Sequence, residues 1–315
     1  MTIASRADAA DGERILVDAG PINLVRTLSI HRRGSGDPSM RFEVSGSTWR
    51  ATRTPDGPVT LFIEAGRDRV RARAWGPGTG WALDRLGGLV GADDDPGALV
   101  PRHPAVAEAA RRLAGMRIGR TGAVLESLVP AILEQKITGD EARRAYRALV
   151  RRYGEDAPGP PGLRLQPSAE TLAALPYYAY HPLGVERRRA DLIRAIGREA
   201  PRLERFAERA SAPDGDPGPA YATLRTFPGI GPWTAAEVGL RAFGDPDAVS
   251  VGDYHLPSMV TWALAGEPKG TDERMLELLE PYRGQRGRVL RLLELSGSGR
   301  PRRGPRMPSR RIGEL

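Results

Sequence analysis

The chain of 315 residues contains no cysteine. This absence excludes disulfide bonds, a thiolate nucleophile, a zinc ion bound by cysteine and an iron–sulfur cluster held by thiolates. Histidine is scarce as well, because the chain has only four, and they show no spacing typical of metal ligands. We therefore expect neither a structural metal of this kind nor a required cofactor.

Long apolar runs are also missing. No segment approaches the roughly 18 apolar residues that a membrane-spanning helix needs. The opening residues "MTIASRADAADGERILVDAG" lack a cationic start followed by an apolar stretch. We expect a cytoplasmic protein without membrane contact.

Positive charge is in excess. The formal net charge is +8 and the sequence pI is about 10.2, which favours polyanionic partners such as nucleic acid. Residues 296–315 hold six arginines and one glutamate among Gly, Ser and Pro, a composition typical of a disordered tail. The rest of the chain is only mildly basic. An arginine-rich genome would give the same tail without any function for it.

Apolar and polar residues alternate from residue 14 to about 75, which predicts half-buried antiparallel strands. Phe42 and Val44 alternate in "RFEVSG", "VTLFIEA" is predicted as a central strand, and in "DRVRARAW" small apolar residues alternate with arginines. "WALDRLGGLVG" at 81–91 then predicts a helix.

Beyond residue 100 the period becomes about 3.6 residues, which predicts helices. They span 104–115, 122–136, 139–153, 168–175, 186–200, 203–211, 218–226, 232–243, 251–265, 271–282 and 285–295. Residues 154–167 are predicted as a loop. The fold is therefore predicted to be α+β, with a small antiparallel sheet domain at 14–100, an all-α domain at 101–295 and a basic disordered tail at 296–315.

The segment "FPGIGPWTAAEV" predicts a helix end, a tight glycine turn and a new helix that begins with Pro232. Amides at such a turn and at a helix N-terminus can bind an anion, and for a basic protein a DNA phosphate is a plausible anion. The alternative is an ordinary corner between two helices.

The longer stretch "LRTFPGIGPWTAAEVGLRAFGDPDAVSVGDYHL" resembles the helix-hairpin-helix and catalytic segment of the base-excision DNA glycosylase superfamily, and within it 3-methyladenine DNA glycosylase II. "LVPAILEQKITGDEARRAYRALVRRYGE" is similar to the helix pair that carries that family's wedge. "SAETLAALPYYAYHPLGVERRRADLI" is similar to the segment before the hairpin. The resemblance covers about residues 14–295 and leaves the tail aside.

The resemblance implies a hydrolase of the DNA-3-methyladenine glycosylase II type that acts in base-excision repair. It implies that Asp253 is the catalytic carboxylate, because cleavage of an N-glycosidic bond builds positive charge on the sugar, which a carboxylate stabilises. The predicted helix at 251–265 leaves a second interpretation of Asp253 as a helix cap. Trp233 stands where strand-cutting relatives carry a Schiff-base lysine, so the resemblance implies hydrolysis of the base alone.

The wedge segment departs from the family pattern. Relatives place an apolar side chain after a glutamine to fill the gap left by the flipped nucleotide, whereas here Gln135 is followed by Lys136. Either the Lys136 stem fills the gap or another residue such as Ile137 does. A solvated charge at a helix end is the alternative.

An alkylated purine is electron-poor and stacks on aromatic rings, so the base pocket is expected to be aromatic. The resemblance implies Trp233 and Tyr254 in this pocket, and nearby tyrosines are further candidates. These are Tyr177, Tyr178 and Tyr180. Helix packing would explain the three tyrosines equally well. The aromatic residue that the family places near its C-terminus has no evident counterpart.

The candidates for binding duplex DNA are the backbone amides of Gly229, Gly231 and Trp233. The wedge residues Gln135 and Lys136 are further candidates. Arg187 and Arg188 could contact the duplex backbone, or form a solvated helix face. The resemblance also implies a Na⁺ or K⁺ ion held by backbone carbonyls of the hairpin. These carbonyls are those of Arg225, Phe227 and Ile230.

The resemblance thus implies a monomeric, monofunctional glycosylase for damaged purines, in particular alkylated ones, associated with the nucleoid. Two alternatives stay open. One is a DNA-binding protein that keeps the hairpin without catalysis, and the other is a glycosylase for deaminated or bulkier bases.

Overall fold

The computed structural model describes residues 10–17, 19–212 and 215–299, so residues 300–315 of the predicted tail lie outside the described residues. The N-terminal part is a five-stranded antiparallel sheet in the order β1-β5-β4-β3-β2. Its strands are β1 Gly12–Val17, β2 Met40–Phe42, β3 Thr48–Thr54, β4 Gly57–Ala65 and β5 Arg69–Trp75. The strand predicted as central, "VTLFIEA", is β4 and lies in the middle of the sheet.

Three short helices accompany the sheet: α1 Leu24–Leu28, α2 Thr79–Asp84 and α3 Leu86–Val90. The single helix predicted at 81–91 is two helices, because Arg85 leaves helical geometry at φ −98° and ψ 8°. Apolar residues of α1, α2 and α3 pack with one face of the sheet in a common core.

The predicted alternation is confirmed in β5, where Val70, Ala72 and Ala74 are buried and the arginines between them lie on the other face. It is wrong in two places. Val44 is fully exposed because β2 ends at Phe42. In β3, side chains on both faces are buried, because one face meets Glu126 of the helical part and the other packs on Leu163 and Leu165.

Helices build the rest of the chain. They are α4 Pro104–Arg112, α5 Val124–Glu134, α6 Gly139–Tyr153, α7 Ala169–Ala174, α8 Tyr177–Tyr180, α9 Arg187–Arg198, α10 Ala200–Ala210, α11 Gly218–Leu224, α12 Pro232–Val238, α13 Leu256–Ala265, α14 Asp272–Leu279 and α15 Arg286–Ser296. A π-helical turn, Gly239–Phe243, continues α12. The predicted loop at 154–167 contains a short ribbon of β6 Glu155–Asp156 and β7 Arg164–Leu165.

Helix α6 shows why the periodicity succeeds. Thr138 and Glu141 form a capping box at its start, which satisfies two backbone donors reciprocally. Ala142, Tyr146 and Leu149 then bury one face. The helix consequently has the predicted bounds, 139–153.

The helices form two cores, not one. Helices α5 to α12 surround the larger core, whereas α4 packs with α13, α14 and α15 in the other. The hairpin α11–α12 therefore belongs to one core and α13 to the next. Asp253 lies in the connection between them. No helix among the described residues is long and apolar enough to cross a membrane.

Candidate functional site

The hairpin turn between α11 and α12 is held by the buried residue Ile230. Ile230 is buried, and its N–H donates to the Phe227 carbonyl at 3.0 Å. Gly229 has φ +104° and is exposed, a conformation that glycine adopts without steric cost. Helix α12 begins at Pro232, immediately after this hairpin turn. The amides in the first turn of α12 have no intrahelical partners, so together with the hairpin turn they form one polar surface.

Asp253 precedes its helix instead of lying on it, since α13 begins at Leu256 and not at residue 251 as predicted. Its Oδ1 accepts the backbone N–H groups of His255 at 2.7 Å and Leu256 at 2.9 Å. Its Oδ2 accepts the indole Nε1–H of Trp233 at 3.0 Å. The carboxylate thus caps α13 and contacts the hairpin at once, so the two interpretations of Asp253 are compatible.

Trp233 has a role that the sequence did not indicate. It is half-buried on the first turn of α12, and its N–H group ties Asp253 to the hairpin across the boundary between the two helical cores. Three N–H donors therefore fix the orientation of a half-buried carboxylate.

The wedge segment between α5 and α6 lies against the hairpin. The Gln135 Nε2 group donates to the Gly229 carbonyl and to Thr234 Oγ1, both at 2.9 Å. Lys136, the next residue, is exposed and has φ +56°. Gln135 thereby links the wedge to the turn, and Lys136 stands at the tip of the loop.

The three consecutive arginines in the segment "ERRRAD" at 186–191 differ in burial. Arg187 and Arg188 are exposed, and Arg187 lies 4.6 Å from the ring centre of Tyr177. Arg189 is buried, and its guanidinium donates to the Leu133 carbonyl at 2.9 Å. Arg189 therefore holds the end of α5 just before the wedge, a role that sequence reasoning missed.

The candidate tyrosines also separate. Tyr177 and Tyr178 are 41% and 66% exposed, and Tyr254 is 85% exposed. Tyr180 is fully buried, and its hydroxyl donates to the Leu172 carbonyl at 3.0 Å. The prediction of Tyr180 as a pocket residue is wrong, because its ring fills the helical core and has no face for a base.

Glu237, one turn after Trp233 on α12, is a further buried group beside the site. Its carboxylate accepts from Arg241 at 2.5 Å and from the Ser250 hydroxyl at 2.6 Å. Burial alone would raise the Glu237 pKa, but Arg241 and the Ser250 hydrogen bond outweigh it and hold that pKa below its usual range. The Ser250 carbonyl in turn accepts the N–H of Asp253 at 3.3 Å.

A cavity of about 210 Å³ opens next to Arg241. Its lining includes five arginines and two glutamates, and it also includes the loop after α1. The sequence reasoning missed this cavity because its arginines come from parts of the chain that are far apart. They are Arg32, Arg33, Arg143, Arg241 and Arg291.

No family model matches the chain. Over 172 residues it is 31% identical to the "Probable bifunctional transcriptional activator/DNA repair enzyme AlkA" of Mycobacterium tuberculosis, a match that covers 53% of this chain and 31% of the relative. Over 169 residues it is 29% identical to the "DNA-3-methyladenine glycosylase 2" of Escherichia coli, covering 54% and 57% respectively. The chain thus spans less than two thirds of each of these relatives.

Among solved structures, the fold is similar to that of the 3-methyladenine DNA glycosylase from Archaeoglobus fulgidus. The TM-score is 0.73 at 21% identity, with 90% of this chain and 97% of the other covered. The similarity extends over both the sheet and the helical part, so the predicted α+β fold is confirmed. The resemblance that the hairpin motif indicates is confirmed by these relatives.

Proposed function

We propose that this chain, a relative of the 3-methyladenine DNA glycosylases, hydrolyses the N-glycosidic bond of damaged purines in duplex DNA and so begins base-excision repair. Alkylated purines are the first substrates to test, because the names of its relatives indicate 3-methyladenine. The observation that carries the proposal is the Asp253 carboxylate, which Trp233 and the start of α13 hold beside the hairpin.

The chemistry follows from that placement. As the bond between the base and C1′ breaks, positive charge develops on the sugar, and a fixed carboxylate stabilises it more strongly in the transition state than in the ground state. A water molecule then bonds to C1′ and gives up a proton, while the departing base takes the electron pair of the broken bond. The products are a free base and an abasic site.

Strand cleavage through a Schiff base needs an amine at the site. The corresponding hairpin position holds Trp233, whose indole nitrogen is already used by Asp253. We therefore propose release of the base without cutting of the DNA backbone, so that strand breaks appear only after alkali treatment.

The DNA backbone is proposed to contact the hairpin through the amides of Gly229, Gly231 and Trp233, with Arg187 and Arg188 nearby on α9. Counterion release from such contacts makes binding strongly salt-dependent. A partner of this kind would place the protein at the nucleoid, and one copy of the chain contains every group used here, so we propose a monomer.

A monovalent cation at the hairpin remains a proposal. Neutral carbonyl oxygens are suitable ligands for a hard cation, and those of Arg225, Phe227 and Ile230 belong to the turn that would meet the phosphate. The Phe227 carbonyl accepts one N–H, from Ile230, and a carbonyl oxygen has a second lone pair to offer. The ion would add positive charge at the phosphate and take no part in hydrolysis.

The test is base release from duplex DNA that contains 7-methylguanine or 3-methyladenine. Asp253→Asn keeps the size of the side chain and removes its charge, so we expect base release to fall at least a thousandfold while DNA affinity changes less than threefold. Asp216→Asn, an exposed aspartate on the loop before α11, is the matched control and should behave as the wild type. Full activity of Asp253→Asn would refute the mechanism.

The alternative hypothesis, a DNA-binding protein without catalysis, predicts a different result. If the wild-type protein binds the duplex and releases no base from any damaged duplex, before or after alkali, the chain is a DNA-binding protein and not a glycosylase.

A further inference from the structure

The cavity beside Arg241 is separate from the proposed hydrolytic site. Among the described residues, none of those that line it belongs to the hairpin turn or is hydrogen-bonded to Asp253 or Trp233. Its walls come from the loop after α1, the end of α5, the start of α6, the π-helical turn and α15. On one side it borders the wedge, because the lining residue Glu134 directly precedes Gln135.

Positive charge is in excess in the lining, which contains five arginines and two glutamates. Arg241 donates to Glu237 at 2.5 Å. Arg143 donates to Asp140, also at 2.5 Å. Carboxylates outside the lining thus compensate two of the five positive charges, and the two glutamates of the lining oppose the other three. These three are Arg32, Arg33 and Arg291.

Arg33 is the most deeply placed of these three arginines, with 7% of its surface exposed. A guanidinium group carries five N–H donors, and the one hydrogen bond of the Arg33 side chain to a described residue goes to Glu134 at 3.2 Å. The Nε of Arg32 is buried, and it has no partner in the described part of the chain. The cavity wall therefore holds buried guanidinium donors that the protein itself does not satisfy.

The electrostatic field in the cavity is positive. Burial lowers the pKa of Arg33 and that of Arg291, so the neighbouring carboxylates do not fully offset the cost of burying these charges. Burial also lowers the pKa of His31, which lies between two lining residues, and four arginines lower it further. They are Arg50, Arg241, Arg33 and Arg291.

The loop after α1 closes one side of the cavity by packing on α6. Gly34 has φ +82°, and a Cβ atom at this position would lie 2.7 Å from the Cδ of Arg143. Glycine adopts this conformation without steric cost and allows the close approach. The contact keeps Arg33, the preceding residue, in the cavity wall.

We propose that this cavity is a binding site for a phosphate group. Guanidinium groups donate pairs of N–H groups to phosphate oxygens, and such charge-assisted hydrogen bonds are short and strong. The cavity volume of about 210 Å³ has room for one tetrahedral phosphate group. Two sources offer this chemistry: inorganic phosphate, and a backbone phosphate of duplex DNA that enters beside the wedge. Phosphate binding here is independent of base hydrolysis.

The first measurement is a calorimetric titration with inorganic phosphate, at an ionic strength held constant with chloride. We expect saturable binding of one phosphate in the cavity with a dissociation constant of about 1 mM or below. Arg33→Met keeps the aliphatic volume and removes the donors, so it should weaken this binding at least about tenfold. Arg32→Met should weaken it at least about threefold. Arg205→Met, at an exposed position of α10, is the control and should bind as the wild type does.

The second measurement distinguishes the two sources through the salt dependence of binding to an undamaged duplex. Arg33 is buried, so DNA reaches it through the cavity. If a backbone phosphate occupies the cavity, Arg33→Met should reduce the slope of log K against log salt concentration by about one, and inorganic phosphate should compete with the duplex more strongly than chloride does. If inorganic phosphate is the ligand, this slope should stay unchanged, and phosphate should bind equally well to the free and the DNA-bound protein.

Two results together would overturn the phosphate site. One is a titration that either does not saturate or is weakened by neither arginine variant, and the other is an unchanged salt slope in Arg33→Met. If Arg33→Met does not fold, Arg32→Met, at a less buried position, replaces it in both measurements. Neither measurement involves release of a base, so a negative result leaves the proposed function intact, and an inactive enzyme leaves both measurements valid.

Discussion

Lys136 is the one residue other than glycine that has a left-handed backbone among the described residues, with φ +56°. This conformation costs a non-glycine residue about 1 kcal/mol, and strain of this kind often marks a functional position. Gln135, the residue before Lys136, is hydrogen-bonded to the hairpin. The strained backbone therefore directs Lys136 out from the loop tip.

Replacement of Lys136 by glycine separates strain from function. Lys136→Gly relieves the left-handed penalty, so we expect the free energy of unfolding to stay equal or to rise by up to about 1 kcal/mol. Base release from duplex DNA should nevertheless fall about tenfold, because no side chain fills the gap left by the flipped nucleotide. Urea denaturation and base-release rates provide the two measurements.

Single-stranded substrate is the control for Lys136→Gly. It has no base pair to open, so its rate should change less than twofold. A loss of equal size on both substrates would show that Lys136 acts on the chemistry and not as a wedge.

Trp233→Phe tests the indole hydrogen bond to Asp253. Phenylalanine keeps a ring on α12 and removes the donor, and a hydrogen bond to a charged group contributes about 1.5–3 kcal/mol. We therefore expect base release to fall roughly ten- to a hundredfold at saturating DNA, with unchanged affinity for an undamaged duplex. Trp81→Phe in α2, far along the chain from the hairpin, should show no change. An unaltered rate in Trp233→Phe would mean that the α13 amides alone position the carboxylate.

At the scale of elements, α10 controls the start of α5 through one carboxylate. Burial of the Glu204 carboxyl outweighs its interaction with the backbone N–H groups of Leu125 and Val124 at the start of α5, which have no partners within their own helix. Burial raises the pKa of Glu204 to about 7, and the nearby Glu126 adds to this shift. Because the folded pKa lies above the unfolded value of about 4.3, folding favours the protonated acid.

The sign of the pH dependence follows. The contribution of Glu204 to stability is fully present below about pH 4.3 and is lost as the pH rises through about 7. Relative to Glu204→Gln, the wild-type free energy of unfolding should therefore decrease by roughly 1–3 kcal/mol between pH 4.5 and 8. Denaturation curves across this range give the measurement. Glu208→Gln, on the exposed face of the same helix, is the control and should show the same pH dependence of stability as the wild type. If Glu204→Gln also shows the wild-type pH dependence, the Glu204 carboxylate titrates normally and the prediction is wrong.

At the scale of the whole molecule, one carboxylate joins the sheet to the helical part. Glu126 of α5 accepts from Arg50 at 2.7 Å, from the Thr52 hydroxyl at 2.6 Å and from the Arg53 N–H at 3.1 Å. Arg50 is only 7% exposed.

Glu126→Ala leaves Arg50 buried without its carboxylate, which typically costs about 3–5 kcal/mol. We expect a decrease of that size in the free energy of unfolding, measured by urea denaturation. Glu108→Ala breaks the exposed pair with Arg111 and should change stability by less than about 1 kcal/mol. Equal, small effects would show that Glu126 contributes little to holding the two parts together.

The sequence by itself determined the features that depend on short stretches of chain. Helix α6, the alternation of β5, the glycine turn and the position of Asp253 about twenty residues after it all follow from local periodicity, capping and motif spacing. Reliance on local patterns also explains why the predicted start of α13, at residue 251, is wrong. The Asp253 side chain, which lies before the helix, accepts the backbone N–H groups at the helix start, and the apolar pattern shows no break there.

Only the tertiary structure decided which polar groups meet. It buried Tyr180 while leaving Tyr177 and Tyr178 exposed, turned the Trp233 N–H group toward Asp253, and gathered arginines from the loop after α1, from α6, from the π-helical turn and from α15 around one cavity. These contacts join residues that are far apart in the chain. Their proximity is set by the packing of whole helices, which no local pattern of residues encodes.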